Sequence, residues 1–471
     1  MFEKCVSFGK HGQWFAALTM TFAVLISGNI VSWPSAAFPK MEDGSAGFDF
    51  TETEKSLLAS LPFLGAVVSP IPCSYIMNIV GRKNTLNITV LLVILAWIII
   101  AFTSNIYLLL FARFISGLYC GSEYIIVSIY VAEAVAPNIR GRLISVTGMT
   151  FYAGALYVSF ISYASYQTMT LLCIIPALLL FIVFLFVPES PYYYLMHGKK
   201  KEAENALKWL RGYFDPEEFN RIEEGVVEQL KNEGTFKEIF VVEPNLKAFV
   251  IIEFYKFFSS CTAVLILFSY CTQLIPDSWV SAQDSYILLC VLWVIAALFS
   301  SSIMDKYPRR MILVVSCVGT FIFYGVAGVW YYLKEFSDVD LSGVSWVPLL
   351  SAIFGSFFEI IGIVNVPNVL KGEMFPINIK TKACALSCMT ACGLETINAL
   401  FFYDLNRWIG QYINFLKPML TACLCMYITI FHLFETKGLD LETIQNILTG
   451  KIPKKQSRSK KKIERVENAF S

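Results

Sequence analysis

Charged side chains inside long apolar runs are the first chemistry this sequence offers. Glu123, Glu253, Lys256, Glu359 and Glu395 all fall in stretches apolar enough to lie in a membrane. Ionisable groups there are costly, and they mark a pair or a solute path. Glu253 and Lys256 are three apart, so on a helix they share a face. They either pair with each other, or Lys256 stands on a cavity wall facing Glu359 or Glu395. A charged wall would suit an anionic or zwitterionic solute, or proton linkage through a carboxylate. Neutral polar and aromatic groups recur at similar depth: Tyr152, Tyr157, Tyr255, Trp293, Asn365 and Asn368. A polyhydroxylated solute needs such groups, because each buried hydroxyl must find a partner. Taken singly, a Tyr or Trp here is explained by packing or by an interfacial belt. Asn365 and Asn368 share a helix face with Pro367 between them, where a bend frees a backbone carbonyl.

Acids and bases also recur in register between the apolar runs. Asn78-x-x-Gly81-Arg82-Lys83 is matched by Asp305-x-x-Pro308-Arg309-Arg310. Glu133 precedes Arg140 by seven residues, and Glu373 precedes Lys380 by seven. Pro188-Glu189-Ser190 is matched by Phe434-Glu435-Thr436-Lys437. Three matches in order indicate a duplicated unit, and duplicated membrane halves bind solute between them and rock. Carboxylates and bases at one set of helix ends can pair across the halves and separate again. Pairs that are partly exposed are worth about 0–1 kcal/mol, which suits a gate that breaks in each cycle. Positive-inside anchoring accounts for the Arg and Lys but leaves Glu133, Glu189, Glu373 and Glu435 unexplained.

The elements that must hold these groups follow from composition. The chain has 471 residues, 56% hydrophobic and 15% charged, with a mean hydropathy of +0.60. A soluble chain carries about 25% charged residues, so this is a polytopic helical membrane protein. A net charge of +1 gives no reason to expect nucleic acid. Most of the thirteen Cys lie in apolar runs, and Cys384, Cys388 and Cys392 read as a packing stripe rather than a soft-metal path. His11, His197 and His432 are scattered, so no metal or cofactor site is expected. Without a Gly-rich phosphate loop or a nucleophile–base motif, an enzyme is not expected.

Apolar runs at 13–37, 57–79, 85–103, 106–131, 142–164, 168–187, 247–273, 283–304, 310–333, 346–371, 382–404 and 412–434 give twelve spans. Each is near the ~20 residues that cross ~30 Å of hydrocarbon. The first run carries Asn29 and Trp33 and no cleavage site follows it, so it is expected to stay as a span. Arg82, Lys83, Arg140, Arg142, Lys306, Arg309, Arg310, Lys380 and Lys382 crowd one set of breaks, and residues 451–471 hold eight Lys or Arg against two Glu. Both termini are therefore expected in the cytoplasm. The basic tail would meet anionic lipid. Asn87-Ile88-Thr89 lies within a span and should not be glycosylated. Residues 188–245 hold twenty charged positions, and Lys199–Gly212 reads as an amphipathic helix burying Ala203, Ala206, Leu207 and Leu210.

Arg113-x-x-x-Gly117, followed by Tyr130-x-x-Glu133-x-x-x-Pro137-x-x-Arg140-Gly141, resembles the central signature of the sugar porters of the major facilitator superfamily. Pro188-Glu189-Ser190-Pro191, Glu373-Met374-Phe375-Pro376 and Glu435-Thr436-Lys437-Gly438 resemble its other marks. Ser32-Trp33-Pro34-Ser35 and Phe38-Pro39-Lys40 are similar to insect facilitated trehalose transporter-like members. The resemblance implies an all-α membrane protein, with twelve transmembrane helices in two pseudo-symmetric six-helix bundles and a cytoplasmic helical insert. The bundles would be residues 1–187 and 246–434, with the insert at 188–245 and a basic tail at 435–471. It implies alternating-access transport of a sugar or polyol, in the plasma membrane. The gating residues would be Arg82, Arg113, Glu133, Arg140, Glu189, Asp305, Arg309, Arg310, Glu373, Lys380 and Glu435.

By offset from those motifs, the family's solute-contacting positions fall on Gly148, Lys256, Phe257, Thr262, Trp293 and Asn368, with Asn365 beside them and another near Ala391. Gln stands in the family where this chain has Gly148, Lys256 and Phe257, and Trp where it has Asn368. Asn78, Pro308, Lys380 and Ser128 replace an acid, a Gly, an Arg and a Pro of the gates. The frame is kept and the cavity rewritten. The proton-coupled members resemble one another in a span-1 Asp, and no acid lies between residues 13 and 37, which favours uniport. The rewritten cavity and basic tail also fit two other readings: a nutrient sensor that does not transport, or a carrier of a charged or non-sugar solute.

Overall fold

The computed structural model describes residues 9–231, 234–304, 306–439 and 441–451, with the side chains of residue 10 and of residues 137–145, 228–231 and 377 outside the description. Every regular element among the described residues is helical. Before the insert run α1 (Gly12–Glu42), α2 (Glu52–Val68), α3 (Pro70–Val80), α4 (Arg82–Phe102), α5 (Ile106–Ala134), α6 (Pro137–Ile161), α7 (Tyr166–Leu172) and α8 (Ile174–Phe184). The insert holds α9 (Pro191–Met196), α10 (Lys200–Arg211), α11 (Pro216–Lys231) and α12 (Phe236–Val241). After it come α13 (Glu243–Ser260), α14 (Ala263–Leu274), α15 (Ala282–Met304), α16 (Arg309–Phe336) and α17 (Val347–Glu359). A π turn (Ile360–Val364) leads to α18 (Val366–Met374), α19 (Ile377–Leu400), α20 (Phe402–Trp408), α21 (Ile413–Phe431) and α22 (Leu441–Leu448).

Ten helices or joined helices are long and apolar enough to cross a membrane, and the bent pair α2–α3 makes an eleventh. Twelve were expected. The remaining candidate is α6, whose described apolar part, Val146–Ile161, is shorter than a full span. The helices are apolar all round, as lipid requires. On α4, Leu86, Val90, Val93 and Trp97 are buried while Leu91, Leu95 and Ile98 are exposed. Where backbones approach, side chains are small: a Cβ on Gly28 of α1 would lie 2.1 Å from the Phe151 carbonyl oxygen of α6.

Several expected straight spans are broken, each for a local reason. Pro70 starts α3, which bends 51° from α2. Between α13 and α14, Thr262 is extended, and the Glu359 carboxylate accepts the freed N–H groups of Ala263 (3.1 Å) and Val264 (3.0 Å). The π turn ends at Asn365, whose amide donates to the Ile360 carbonyl (2.8 Å) and to Ser300 Oγ (3.0 Å). The expected amphipathic helix is present as α10, with Ala203, Ala206, Leu207 and Leu210 buried. Arg211 at its end forks to Glu218 (2.8 Å), Gln13 Oε1 (3.1 Å) and the Ala134 carbonyl (2.8 Å), fixing the insert to the start of α1.

One apolar core runs through the helices before the insert and into α14 and α15, with parts of α16, α17, α19, α20 and α21. A second core lies among α13, α16, α18, α19, α21 and α22.

Candidate functional site

Two charged constellations sit at one end of the molecule, called the charged end here, and they repeat each other group for group. In the first, Arg82 Nη2 meets Glu133 Oε1 at 2.9 Å, and Ser190 Oγ donates to the other Glu133 oxygen. Glu189 accepts the backbone N–H groups of Arg82 (3.0 Å), Lys83 (3.1 Å) and Ser190 (2.9 Å). In the second, Arg309 Nη2 meets Glu373 Oε1 at 2.8 Å, and Thr436 Oγ1 donates to Glu373 Oε2 at 2.6 Å. Glu435 accepts the N–H groups of Arg309 (3.0 Å), Arg310 (3.2 Å) and Lys437 (3.0 Å). In each, one carboxylate holds an Arg side chain and the other caps the N-terminus of the helix that carries it. Gly81 enters this turn at φ 106°, and a Cβ there would fall 2.2 Å from Glu189 Oε2, so glycine is required. Burial pushes the Glu189 carboxyl above its ordinary range, against the pull of its backbone donors and of Arg82.

The pairs differ from expectation in two ways. They are not weak surface contacts: the Arg82 and Arg309 side chains are 4% and 8% exposed. They also run within one side of the insert rather than across it. Lys380 turns back to the Gly372 carbonyl (2.8 Å), and Arg310 to the Ile430 carbonyl (2.7 Å). Arg140, by its side chain, and Asp305 lie outside the described residues. Arg113 is placed elsewhere altogether. It is fully buried, donating to the carbonyls of Leu58 (2.9 Å) and Ile30 (2.8 Å) with its guanidinium 5.1 Å over the Trp33 ring. It ties α5 to α1 and α2 and belongs to neither constellation.

At the opposite end, hydrogen bonds cross between helices before and after the insert. Ser35 Oγ donates to the Phe268 carbonyl (2.9 Å) and accepts from the Cys271 N–H (2.9 Å), and Thr272 Oγ1 donates to the Ser35 carbonyl (2.7 Å). Tyr286 donates to the Ser32 carbonyl (3.2 Å), Gln283 to Ser162 (2.9 Å) and Gln273 to Glu42 (3.0 Å). Tyr163 meets Asp284, and Arg407 meets Glu52. Tyr270 stacks on Phe402 at 3.9 Å. This end is closed.

Between the two ends lie the residues expected to line a cavity. Trp293 is buried, donates to Ser356 Oγ (2.9 Å) and packs on Phe268 and Tyr152. A Cβ on Gly148 would meet open space. Asn368 is exposed, and Asn365 is committed to Ser300 and the π turn. Thr262 and Glu359 lie together with Phe258, Ile363 and Pro418 around a crevice too narrow to hold a water molecule. Phe257 is 43% exposed, on one face with Val250 and Phe254. Tyr157 and Tyr255 are held by the Leu172 carbonyl and by Thr429. Glu253 does not pair with Lys256: it turns to α19 and accepts from Thr390. Lys256 instead lies in electrostatic range of Lys371, Tyr124 and Glu395. Glu359 is taken up by the α14 N-terminus and by Tyr324 (3.0 Å).

Sequence reasoning missed Lys371, Tyr124 and the paired hydroxyls of Ser190 and Thr436. The hydroxyls had a signal, since each directly follows the capping Glu. Lys371 closes an apolar run and reads as an anchor from sequence.

Fold, motifs and comparison agree on the class. The pattern of the family described as "Sugar (and other) transporter" matches residues 14–448, so this chain belongs to that family, and its work is transport of solute across a membrane, not catalysis. It is 28% identical over 452 residues to the facilitated trehalose transporter Tret1 of Apis mellifera ligustica, covering 93% of this chain and 89% of that protein. It is 25% identical over 461 residues to that of Polypedilum vanderplanki, covering 95% and 90%. Among solved structures, the inward open conformation of the xylose transporter XylE from E. coli matches with a TM-score of 0.75 at 20% identity, over 92% of this chain and 99% of that one. The proton:xylose symporter XylE bound to 6-bromo-6-deoxy-D-glucose matches with a TM-score of 0.73 at 19% identity, over 94% and 100%. Those likenesses establish a major facilitator fold.

Proposed function

We propose that this protein carries a sugar-like solute, of the trehalose or hexose class, by facilitative alternating access. One observation carries the reading. Helices from either side of the insert are bonded together at the end opposite the charged constellations, while each constellation closes on itself. That is a carrier open, or ready to open, at its charged end. In this reading α6 is the twelfth crossing, residues 1–187 and 246–434 are two six-helix bundles, and residues 188–245 form a helical domain joining them. The charged end and both termini face the cytoplasm, in keeping with the basic residues there. The membrane is the plasma membrane; of the stretch from 435 to 471, α22 packs into the second core, and the basic residues 452–471, outside the described residues, meet anionic lipid. Gly148, Lys256, Thr262, Trp293, Asn365 and Asn368 line the path. Arg82, Glu133, Arg140, Glu189, Asp305, Arg309, Arg310, Glu373, Lys380 and Glu435 form the gate. Glu133 and Glu373 would exchange partners across the bundles when the charged end shuts. The names of the insect relatives support trehalose as the first solute to try.

The test is counterflow of labelled trehalose, glucose and polyols in proteoliposomes. Saturable counterflow of one of them is expected, slowed by the double change Glu133→Gln and Glu373→Gln. Binding without flux of any solute would contradict transport and favour a sensor.

A further inference from the structure

Lys256 and Lys371 lie in electrostatic range of each other among α5, α13, α18 and α19. Lys371 on α18 is 3% exposed. It reaches to α5, where it donates to the Tyr124 hydroxyl and lies 5.0 Å over that ring. Lys256 on α13 lies in electrostatic range of Lys371, with Tyr124, Glu395 and Cys388 around it. Among the described residues Lys256 makes no hydrogen bond or ion pair, and Glu253, one turn before it, is engaged with Thr390. Glu395 is the carboxylate within electrostatic range of Lys256.

Like charges near each other repel, most strongly where water is scarce, and one carboxylate offsets only one of them. The remaining positive charge calls for an anion. Nothing else in this set supplies one, but a solute in the path would. The same turn of α18 presents Asn368, three residues before Lys371 and exposed, so a group that binds hydroxyls sits beside the cation. A single net charge matches a carboxylate better than a doubly charged phosphate ester.

We propose that Lys256, Lys371 and Tyr124 form a subsite for the carboxylate of a hydroxylated acid, so that among sugar-like solutes a sugar acid of the uronate type binds more tightly than the neutral sugar. This deepens the transport reading and rests on it. The carboxylate would sit between the two ammonium groups, with the Tyr124 hydroxyl as a further donor and Asn368 on a sugar hydroxyl.

The test separates binding from flux. Binding of glucuronate, glucose and glucose 6-phosphate is measured by calorimetry on the full-length protein in lipid-free detergent, so that anionic headgroups cannot stand in. Counterflow of the same solutes is then measured in phosphatidylcholine vesicles. The expected result is glucuronate binding about tenfold or more tighter than glucose, lost in Lys256→Gln and Lys371→Gln and kept in Lys371→Arg. The arginine variant guards against a change that merely unfolds the protein. Glucose binding equal to or tighter than glucuronate, or lysine variants that leave the ratio unchanged, would overturn the subsite. Preference for glucose 6-phosphate would overturn the choice of a carboxylate. Intact glucuronate binding without counterflow of any solute would overturn transport and leave the subsite standing.

Discussion

Arg113 shows how far a single residue can depart from its sequence reading. Its place in a family signature suggested a gate, but the side chain lies inside the protein, where two backbone carbonyls and the Trp33 face satisfy it. Arg113→Met would orphan the Leu58 and Ile30 carbonyls, at a cost on the order of 2–4 kcal/mol. Thermal unfolding in detergent should show a clear drop, and an unchanged midpoint would mean the carbonyls find other donors. Lys256 carries the opposite lesson. Its spacing from Glu253 invited an ion pair that the structure does not make; one oxygen of the Glu253 carboxylate accepts from Thr390 on α19 instead. Lys256→Gln should therefore raise uptake of neutral sugar relative to sugar acid, after normalising to surface protein. Selectivity identical to the parent would place Lys256 outside the solute path.

At the scale of elements, closure depends on α1 and α14. Ser35 both donates to and accepts from the α14 backbone. Ser35→Ala would leave the Cys271 N–H without that partner, at about 1–3 kcal/mol. In a background whose sole cysteine is Cys271, the change should speed labelling by an impermeant maleimide from the closed side. Equal labelling rates would show that the α1–α14 contact does not hold the end shut. Long apolar runs made the helices legible in sequence, as did the amphipathic face of α10. The breaks were not legible. Thr262 and the π turn are ordinary residues in apolar runs, and what stabilises the break at Thr262 is Glu359, about a hundred positions away in the chain. The repeated constellations were readable because each is built from short motifs at fixed offsets. The Lys371–Tyr124 contact was not, since a sequence gives no sign of which helices face each other.

For the whole molecule, the account predicts that the two ends are coupled, so that opening one shuts the other. The closed end is held by bonds from Ser35, Tyr286 and Arg407, while at the charged end Glu133 and Glu373 close on arginines of their own side. Spin labels on cysteines placed at Thr53 and Asp338 report on the closed end, and labels at Asn84 and Lys306 report on the charged end. Distances between them are measured by electron–electron resonance in a cysteine-depleted protein, with and without the paired changes Ser35→Ala and Arg407→Gln. The account predicts that loosening the closed end lengthens the first distance and shortens the second. A first distance that lengthens while the second stays fixed or lengthens with it would contradict alternating access.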